Sequence, residues 1–436
     1  MAKRKSLKYA LVLSGGGARG AYEAGVLYYL RTQLPKEIAR SSLFQLYCGT
    51  SVGAINTAFM ASSANDPLYQ GAQIRNLWRI LRDEDIYRTD VRALSGFLVK
   101  SGFFMATNFF GLQDFLSKQR NSTRTPFPFK SVLDTSPFVN FLRRNVAWPQ
   151  IHRNIERGII EAVTVSVTHM MSGQLVLFME RHPSAKFREG GIEPIICSLS
   201  PKHVLASAAI PLIFPIIRIN RQFYGDGSLR QTTPMSPAIH LGANRILVVS
   251  TQYTQRVVSI PGTQPWQSDA EPTLGDVLGT MLDAIFIDKL DYDLEQMRRI
   301  NYLIDDVEKE YGSNFLSLIN TARRKQRKTN ANVHALNKII PFVIYPSQDI
   351  GALASEYFMR RLSRRESLTP MQKFFAKTLE GTPDRPNELM SFLLFDQDYL
   401  EALLQLGFED ARLEHERLIR FFSDQPLDED ESATAV

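Results

Sequence analysis

LSGGGARGAYEAG, residues 13–25, places a glycine-rich turn between an apolar run and a segment of helical character. The turn GGGARG, residues 15–20, satisfies the pattern G-x-G-x-x-G. The apolar run at residues 9–13 predicts a strand, and AYEAGVLYYLRTQL after the turn predicts a helix. This order of strand, glycine turn and helix is the context of a dinucleotide-binding loop, but such a loop is equally suited to another negative charge.

A second motif, GTSVG at residues 49–53, decides between these two uses of the loop. It matches G-x-S-x-G and again lies between a predicted strand and a predicted helix. Gly49 and Gly53 allow a tight, strained elbow, so that the hydroxyl of Ser51 projects from the carboxyl end of the strand. A serine presented in this way is suited to attack a carbonyl carbon.

The dinucleotide interpretation requires an acidic residue about 20 residues beyond the last glycine, at the end of the second strand. Glu37 has about this spacing, but it precedes the second strand. The loop is better suited to bind the oxyanion of acyl transfer, because the N–H groups of Gly16 and Gly17 are not shielded by side chains. Arg19 then adds a fixed positive charge or props the loop. The alternative is a loop that only packs tightly.

A base is needed to activate Ser51. None of the seven histidines lies in a glycine-flanked loop directly after a strand. Asp226 does, because FYGDGS at residues 223–228 ends a predicted strand with an aspartate between two glycines. Since Asp-Gly is also a hairpin signal, an ordinary turn is the alternative reading of this segment.

Together these motifs resemble the patatin-like phospholipase family over roughly residues 7–255. The motifs that carry the resemblance are, in chain order, GGGARG (15–20), GTSVG (49–53), ASAAIP (206–211) with Pro215, and Asp226-Gly227.

The resemblance implies a Ser–Asp dyad without histidine, in which Ser51 is the nucleophile and Asp226 the general base. It also implies an oxyanion hole formed by Gly15, Gly16, Gly17 and Arg19. The family usually carries glycine or alanine after Asp-Gly, where this chain has Ser228. We expect the turn to survive this small side chain, whose hydroxyl can hydrogen-bond Asp226 and alter its basicity.

The fold predicted from the sequence is a three-layer α/β/α patatin-like fold with a mainly parallel central sheet. Strands separated by helices, several of them continuously apolar, indicate a sheet buried on both faces. Further strands are predicted at residues 44–48, 159–168, 174–180, 216–219, 222–224, 245–250 and, at the sheet edge, 338–346.

The domain organisation predicted from the sequence is a catalytic domain at 1–255 and a mainly helical region at 256–423. An acidic, disordered tail at 424–436 follows. An aromatic and basic insertion at 82–155 interrupts the catalytic domain and is predicted to form a lid. The lid's phenylalanines are predicted to reach the acyl region, or else to form the lid's own core: Phe97, Phe103, Phe104, Phe109 and Phe110.

Charge and composition limit the partners. The chain has a net charge of +6, and residues 82–157 contain twelve Lys and Arg against seven Asp and Glu, a surplus of five. We therefore expect peripheral contact with an anionic membrane surface. The basic run at 323–328 is predicted to be a solvated loop, with binding of anionic lipid as its alternative. It lacks the aromatic platform that nucleic acid would require, so no nucleic-acid partner is predicted.

The two cysteines, Cys48 and Cys197, are too few for a disulfide framework and indicate a reducing compartment. The apolar run near the N-terminus is too short for a signal peptide, so a cytoplasmic location is predicted. No cofactor or metal is predicted, because Asp291 and Asp293 lack the glycine of an EF-hand loop.

The predicted function is a serine acyl hydrolase that cleaves fatty-acyl esters of phospholipids or lysophospholipids. A catalytically weak lipid-binding or scaffolding protein and a nucleotide-dependent Rossmann enzyme are the alternatives. The sequence leaves the oligomeric state open.

Overall fold

The computed structural model describes residues 7–41, 43–88, 133–188, 192–211, 213–253, 290–312, 315–326, 336–363, 388–423 and 425. Three sequence predictions lie outside this part of the chain: the phenylalanines at 97–110, the side chains of the basic run at 323–328, and nearly all of the acidic tail. Among the described helices, none combines the length and the apolar character that crossing a bilayer requires.

The described strands form one nine-stranded sheet. They are β1 (Tyr9–Leu13), β2 (Leu46–Thr50), β3 (Ala162–His169), β4 (Gln174–Arg181), β5 (Pro194–Ile196), β6 (Ile217–Ile219), β7 (Gln222–Asp226), β8 (Arg245–Val249) and β9 (Ile340–Ile344). The main path runs β5-β4-β3-β2-β1-β8-β9, while β7 pairs with β3 and β6.

Most of the sheet is parallel, as the sequence predicts. β1 lies between β2 and β8, and the pairs β2–β3, β8–β9 and β4–β5 are also parallel. The β3–β4, β3–β7 and β6–β7 pairs are antiparallel. The parallel strands β2 and β3 therefore end at the same edge of the sheet, and this edge receives the candidate site.

The second strand begins two residues later than the sequence predicts. Pairing starts at Leu46, opposite Ala10 of β1. Phe44 is fully buried, but it precedes the paired segment. The apolar pattern therefore reports burial of Phe44 and does not mark the start of the strand.

Helices surround the sheet. They are α1 (Gly20–Thr32), α2 (Lys36–Ala39), α3 (Val52–Ser62), α4 (Pro67–Ile80), α5 (Asp83–Ile86), α6 (Ser136–Asn145), α7 (Trp148–Glu156), α8 (Pro201–Ser207), α9 (Met235–His240), α10 (Leu290–Tyr311), α11 (Phe315–Gln326), α12 (Ile350–Ser363), α13 (Glu388–Leu393), α14 (Gln397–Leu413) and α15 (His415–Phe422).

The alternation of side chains along β1 separates two apolar cores. Leu11 and Leu13 pack on the face covered by α1, α3, α4 and the C-terminal helices α14 and α15. Ala10 and Val12 pack on the opposite face, against α9 and α10. Helices therefore cover both faces of the sheet, and the fold is the predicted three-layer α/β/α arrangement.

The described end of the predicted insertion belongs to the packed core. In α6, Phe138 and Phe141 are buried, and in α7 Ile151 is fully buried. Asn154 of α7 donates from Nδ2 to the carbonyl oxygen of Ala61 in α3 at 2.8 Å. The predicted boundary at residue 255 falls in 254–289, outside the described residues.

The helices α1 and α14 touch through two glycines. A Cβ atom at Gly25 would lie 2.1 Å from the carbonyl oxygen of Leu404, and one at Gly407 would lie 2.0 Å from that of Tyr22. The two backbones are in direct contact at this crossing. The C-terminal helix is thus packed tightly against the helix that follows the glycine loop.

This contact predicts a large cost for a single methyl group. Gly407→Ala should lower the free energy of unfolding by about 2 kcal/mol or more, because the added atom meets backbone that cannot rotate away. Urea unfolding measures this loss. Gln405→Ala, on an exposed position of the same helix, should change the free energy by less than about 0.5 kcal/mol. Equal, small effects of the two substitutions would contradict the close contact.

Candidate active site

Ser51 occupies a strained turn between β2 and α3. Its backbone has φ 54° and ψ −123°, a left-handed conformation that side chains rarely adopt. A Cβ at Gly49 would lie 2.4 Å from the carbonyl oxygen of Gly53, and one at Gly53 would lie 2.3 Å from that of Leu13. Both glycines of the G-x-S-x-G motif are therefore required by close backbone packing, and the turn places Ser51 at the carboxyl edge of the sheet.

Asp226 reaches the same edge from the last position of β7. It lies opposite Val167 of β3, and its N–H donates to the carbonyl oxygen of Ala209 at 3.0 Å. The hydroxyl of Thr168 donates to the Asp226 carbonyl oxygen at 2.8 Å. With its backbone fixed in this way, the Asp226 carboxylate accepts a hydrogen bond from Ser51, with 2.7 Å between Oγ and Oδ2.

The environment of the Asp226 carboxylate favours its neutral form more than water does. Complete burial raises its pKa from the ordinary value of 3.8 to about 6, while hydrogen bonds from the Ser228 N–H and the Ser51 hydroxyl oppose the shift. The Ser228 N–H donates to Oδ1 at 2.8 Å. The nearby Ser228 hydroxyl also lowers the pKa, although it makes no hydrogen bond of ordinary geometry within the described residues.

The predicted oxyanion donors differ in their availability. Gly15 is committed to the fold, since its N–H donates to the carbonyl oxygen of Thr232 at 3.1 Å and its own carbonyl accepts from the Thr251 hydroxyl at 2.6 Å. The N–H groups of Gly16 and Gly17 donate to no backbone or side chain of the described residues. These two groups are therefore available as hydrogen-bond donors, and Gly17 lines the same cavity as Ser51.

Arg19 ties the glycine loop to the far end of the chain. Its Nε and one terminal nitrogen donate to the Ser391 hydroxyl at 2.8 and 2.5 Å, and its guanidinium lies 4.1 Å from the ring centroid of Phe392. Gly17 has φ +57°, and a Cβ there would lie 2.2 Å from the Phe392 carbonyl oxygen. These contacts correspond to the second sequence-based hypothesis for Arg19, in which its side chain holds the glycine loop in place.

Ser207 supports the elbow from below. Its hydroxyl accepts from the Ser51 N–H at 2.8 Å and donates to the carbonyl oxygen of Ser166 at 2.6 Å. Ser207 belongs to the ASAAIP motif at residues 206–211. The motif alone did not predict which groups the Ser207 hydroxyl contacts. The hydroxyl joins the elbow to β3, the strand that also pairs with Asp226.

An apolar cavity of about 40 Å³ opens beside Ser51. Apart from Gly17 and Ser51, its lining is hydrophobic: Val52, Ile55, Leu77, Trp78, Leu81, Ile86, Phe138, Phe141, Ala208, Ile210, Phe214, Phe392 and Phe395. These side chains come from distant parts of the chain, so no local pattern predicts the cavity.

The six described histidines form their hydrogen bonds with residues other than Ser51 and Asp226. His334 lies outside the described residues. Their partners are Glu180 for His152, Ser172 and Gln222 for His169, Ser184 for His182, Ser200 for His203, the Arg188 carbonyl for His240, and Tyr29 for His415. In the described part of the chain, no group of three or more His, Cys, Asp or Glu is placed to bind a metal.

Comparison with known proteins identifies the family. The model of the patatin-like phospholipases matches residues 11–239, which is more than half of this chain. The chain therefore belongs to the patatin-like phospholipase family. The matched range contains the glycine loop, the serine elbow and Asp226.

Individual relatives are more distant. A cGAMP-activated phospholipase of Pseudomonas aeruginosa is 28% identical over 240 residues, and the match spans 53% of this chain and 56% of that protein. VipD from Legionella pneumophila is similar with a TM-score of 0.29 and 12% identity, covering 92% of this chain and 67% of VipD. Human GIVD cytosolic phospholipase A2, in complex with methyl gamma-linolenyl fluorophosphonate, is similar with a TM-score of 0.34 and 12% identity. This match covers 96% of this chain and 59% of that protein.

The buried carboxylate predicts an unusual stability effect. Because the folded pKa of Asp226 is about 6 against an ordinary 3.8, the folded state binds the proton more tightly. The free energy of unfolding therefore falls as the pH rises from about 4 to about 6. Above about pH 6 the whole loss of stability is present. Asp226→Asn should raise the free energy of unfolding at pH 8 by about 1–3 kcal/mol, and this gain should shrink towards pH 4.

Urea unfolding at several pH values measures the effect. The exposed Glu84→Gln is the control and should change the free energy by less than about 0.5 kcal/mol at each pH. A loss of stability in Asp226→Asn at pH 8 would contradict the assigned environment of the carboxylate.

Proposed function

We propose that this protein is a serine acyl hydrolase that cleaves fatty-acyl esters of phospholipids or lysophospholipids. The observation that carries the proposal is the 2.7 Å hydrogen bond between Ser51 Oγ and Asp226 Oδ2, at the wall of an apolar cavity. Ser51 is the nucleophile and Asp226 the general base. Family membership supports the same reaction class.

In the acylation step, Ser51 Oγ attacks the ester carbonyl carbon while its proton passes to Asp226 Oδ2. The carbonyl oxygen becomes an oxyanion that the N–H groups of Gly16 and Gly17 stabilise. When the tetrahedral intermediate collapses, the bond to the alcohol oxygen breaks and the alcohol leaves with the proton from Asp226. Ser51 now carries the acyl group as an ester.

In the deacylation step, a water molecule attacks the acyl ester and gives its proton to Asp226. The second tetrahedral intermediate releases the fatty acid, and Ser51 takes the proton back. A base with a pKa of about 6 is ionised at neutral pH, yet it accepts a proton more readily than an ordinary aspartate does. Burial of Asp226 thus supplies basicity that a histidine provides in other serine hydrolases.

In this proposal the apolar cavity receives the part of the fatty-acyl chain nearest the ester carbonyl. Its wall is hydrophobic on every side apart from Gly17 and Ser51, so a hydrocarbon chain gains from burial there and a polar substrate does not. The name of the Pseudomonas aeruginosa relative, a cGAMP-activated phospholipase, points to the same substrate class. Peripheral contact with an anionic membrane is part of the proposal, since the substrate resides in a bilayer.

The alternatives make different demands. A lipid-binding or scaffolding protein would use the cavity without turnover, and Ser51 would then be unreactive. A nucleotide-dependent enzyme would need its acidic residue at the end of β2, whereas Glu37 lies in α2, before that strand.

Replacing the nucleophile tests the proposal. Ser51→Ala should abolish hydrolysis of p-nitrophenyl butyrate and of phospholipid vesicles, and it should abolish covalent labelling by a fluorophosphonate. Its free energy of unfolding should fall by about 1–3 kcal/mol, because the buried Asp226 carboxylate loses one hydrogen-bond donor, and thermal unfolding checks that the variant is still folded. A mutant that still hydrolyses the ester or still takes up the label would contradict the assignment, and a wild type without turnover would favour the lipid-binding alternative.

The pH dependence of turnover tests the role of Asp226. Because the base must be ionised, kcat/KM should fall as pH drops below about 6, the pKa of Asp226. The Ser228 hydroxyl lowers this pKa, so Ser228→Ala should raise it and move the acidic limb of the profile to higher pH. Ser62→Ala, which removes a buried hydroxyl of α3 bonded to the Phe59 carbonyl, should leave the limb in place. An unmoved limb in Ser228→Ala would contradict the contribution of this hydroxyl.

A further inference from the structure

Two hairpins meet at the sheet edge where Ser51 lies. The turn at residues 170–173 joins β3 to β4, and Asn220 with Arg221, both at positive φ, joins β6 to β7. Because β7 pairs with β3 in antiparallel orientation, with Tyr224 opposite His169, both turns project beyond the same edge of the sheet. We call residues 169–174 and 217–223 together the hairpin tip.

Hydrogen bonds connect the two halves of the hairpin tip. The Met170 N–H donates to the Phe223 carbonyl oxygen at 2.9 Å, and the ring of His169 hydrogen-bonds the Gln222 side chain at 2.9 Å. A third contact comes from outside the hairpin tip, since Arg230, which follows β7, donates from Nε to the carbonyl oxygen of Gly173. The two turns thus form one surface.

This surface combines exposed apolar side chains with positive charge. Met171 is 79% exposed and Phe223 is 43% exposed. Arg218 and Arg221 are also exposed, and the Arg218 guanidinium lies 5.8 Å from the Phe223 ring centroid. Neither half of the hairpin tip contains an aspartate or glutamate, so the charge of this surface is uniformly positive.

The hairpin tip is close to the candidate active site along the chain. Phe223 precedes Asp226 by three residues on β7, which is about 10 Å along a strand. On the other side, Phe214 lines the apolar cavity and precedes Arg218 by four residues. A flat anionic surface resting on the hairpin tip would therefore lie near both the cavity and the base.

We propose that the hairpin tip is a membrane-docking surface for anionic phospholipid bilayers. Met171 and Phe223 insert at the level of the headgroups, and Arg218 and Arg221 bind lipid phosphates and carboxylates. The proposal rests on the proposed function only in taking a bilayer as the place of the substrate. It assigns docking to residues other than the phenylalanines of the predicted lid.

Vesicle co-sedimentation of the full chain tests the surface directly. The vesicles are phosphatidylcholine alone or phosphatidylcholine with phosphatidylserine. Wild-type protein should prefer the anionic vesicles, and added salt should weaken its binding. Arg218→Gln with Arg221→Gln should reduce the affinity about twenty-fivefold, at roughly fivefold for each lost charge. Met171→Ser with Phe223→Ser should reduce it by a similar factor. Thermal unfolding checks that each variant is folded.

The matched controls lie at the opposite end of the sheet. Arg40→Gln with Arg157→Gln removes two exposed charges, and Leu68→Ser with Tyr69→Ser removes two apolar side chains that are 60% and 61% exposed. These controls should bind like the wild type. The proposal would be overturned if the hairpin-tip variants fold and still bind vesicles with wild-type affinity. It would also be overturned if the control variants lose as much affinity as the hairpin-tip variants. Tighter binding of the wild type to a single-stranded oligonucleotide than to anionic vesicles would overturn it as well.

The proposed function can fail separately. Hydrolysis of p-nitrophenyl butyrate by wild-type protein needs no membrane. Absence of this turnover together with intact, hairpin-dependent vesicle binding would contradict the hydrolase alone. Turnover together with vesicle binding that ignores the hairpin tip would contradict the docking surface alone.

Discussion

The burial of the Asp226 carboxylate is the constraint on which the site depends. A fully buried charge is costly unless hydrogen bonds compensate it, and here one carboxylate oxygen accepts from Ser228 N–H while the other accepts from Ser51 Oγ. The compensation is incomplete, as the raised pKa shows. The remaining cost is what makes Asp226 basic, so stability and basicity are opposite consequences of the same burial.

The surrounding fold holds this pair in register. Ser51 follows β2, and Asp226 ends β7, so the two residues are 175 positions apart in the chain. Both strands are fixed relative to β3, by parallel pairing in one case and antiparallel pairing in the other. Ser207 adds a direct link from the Ser51 N–H to the Ser166 carbonyl of β3. One strand thus positions both partners of the hydrogen bond.

The glycine loop depends on a part of the chain well beyond the family-matched range, which ends at residue 239. Ser391 binds the Arg19 guanidinium, and the backbone of Phe392 packs directly on Gly17. Phe392 and Phe395 also form part of the cavity wall. The same short segment therefore contacts the glycine loop and forms part of the cavity wall, which couples the shape of the cavity to the geometry of the loop.

The sequence predicts those features whose cause is local. Gly49 is needed because its backbone packs against Gly53 within one turn, and the flanking strand and helix patterns show where that turn lies. The apolar strands separated by helices predict one sheet with helices on both faces. Arg19 shows the limit, because its partner Ser391 is 372 residues away and no local pattern marks it. The cavity and the contact between Gly25 and α14 were unpredictable for the same reason.

The rate of fluorophosphonate labelling of Ser51 is the most direct test of a dyad that works without histidine. The account predicts that Asp226→Asn, though folded, is labelled at least about a hundredfold more slowly than the wild type. His203→Ala, on the same helix as Ser207, should be labelled at the wild-type rate. Undiminished labelling in Asp226→Asn, or labelling lost on substitution of any one histidine, would contradict the account.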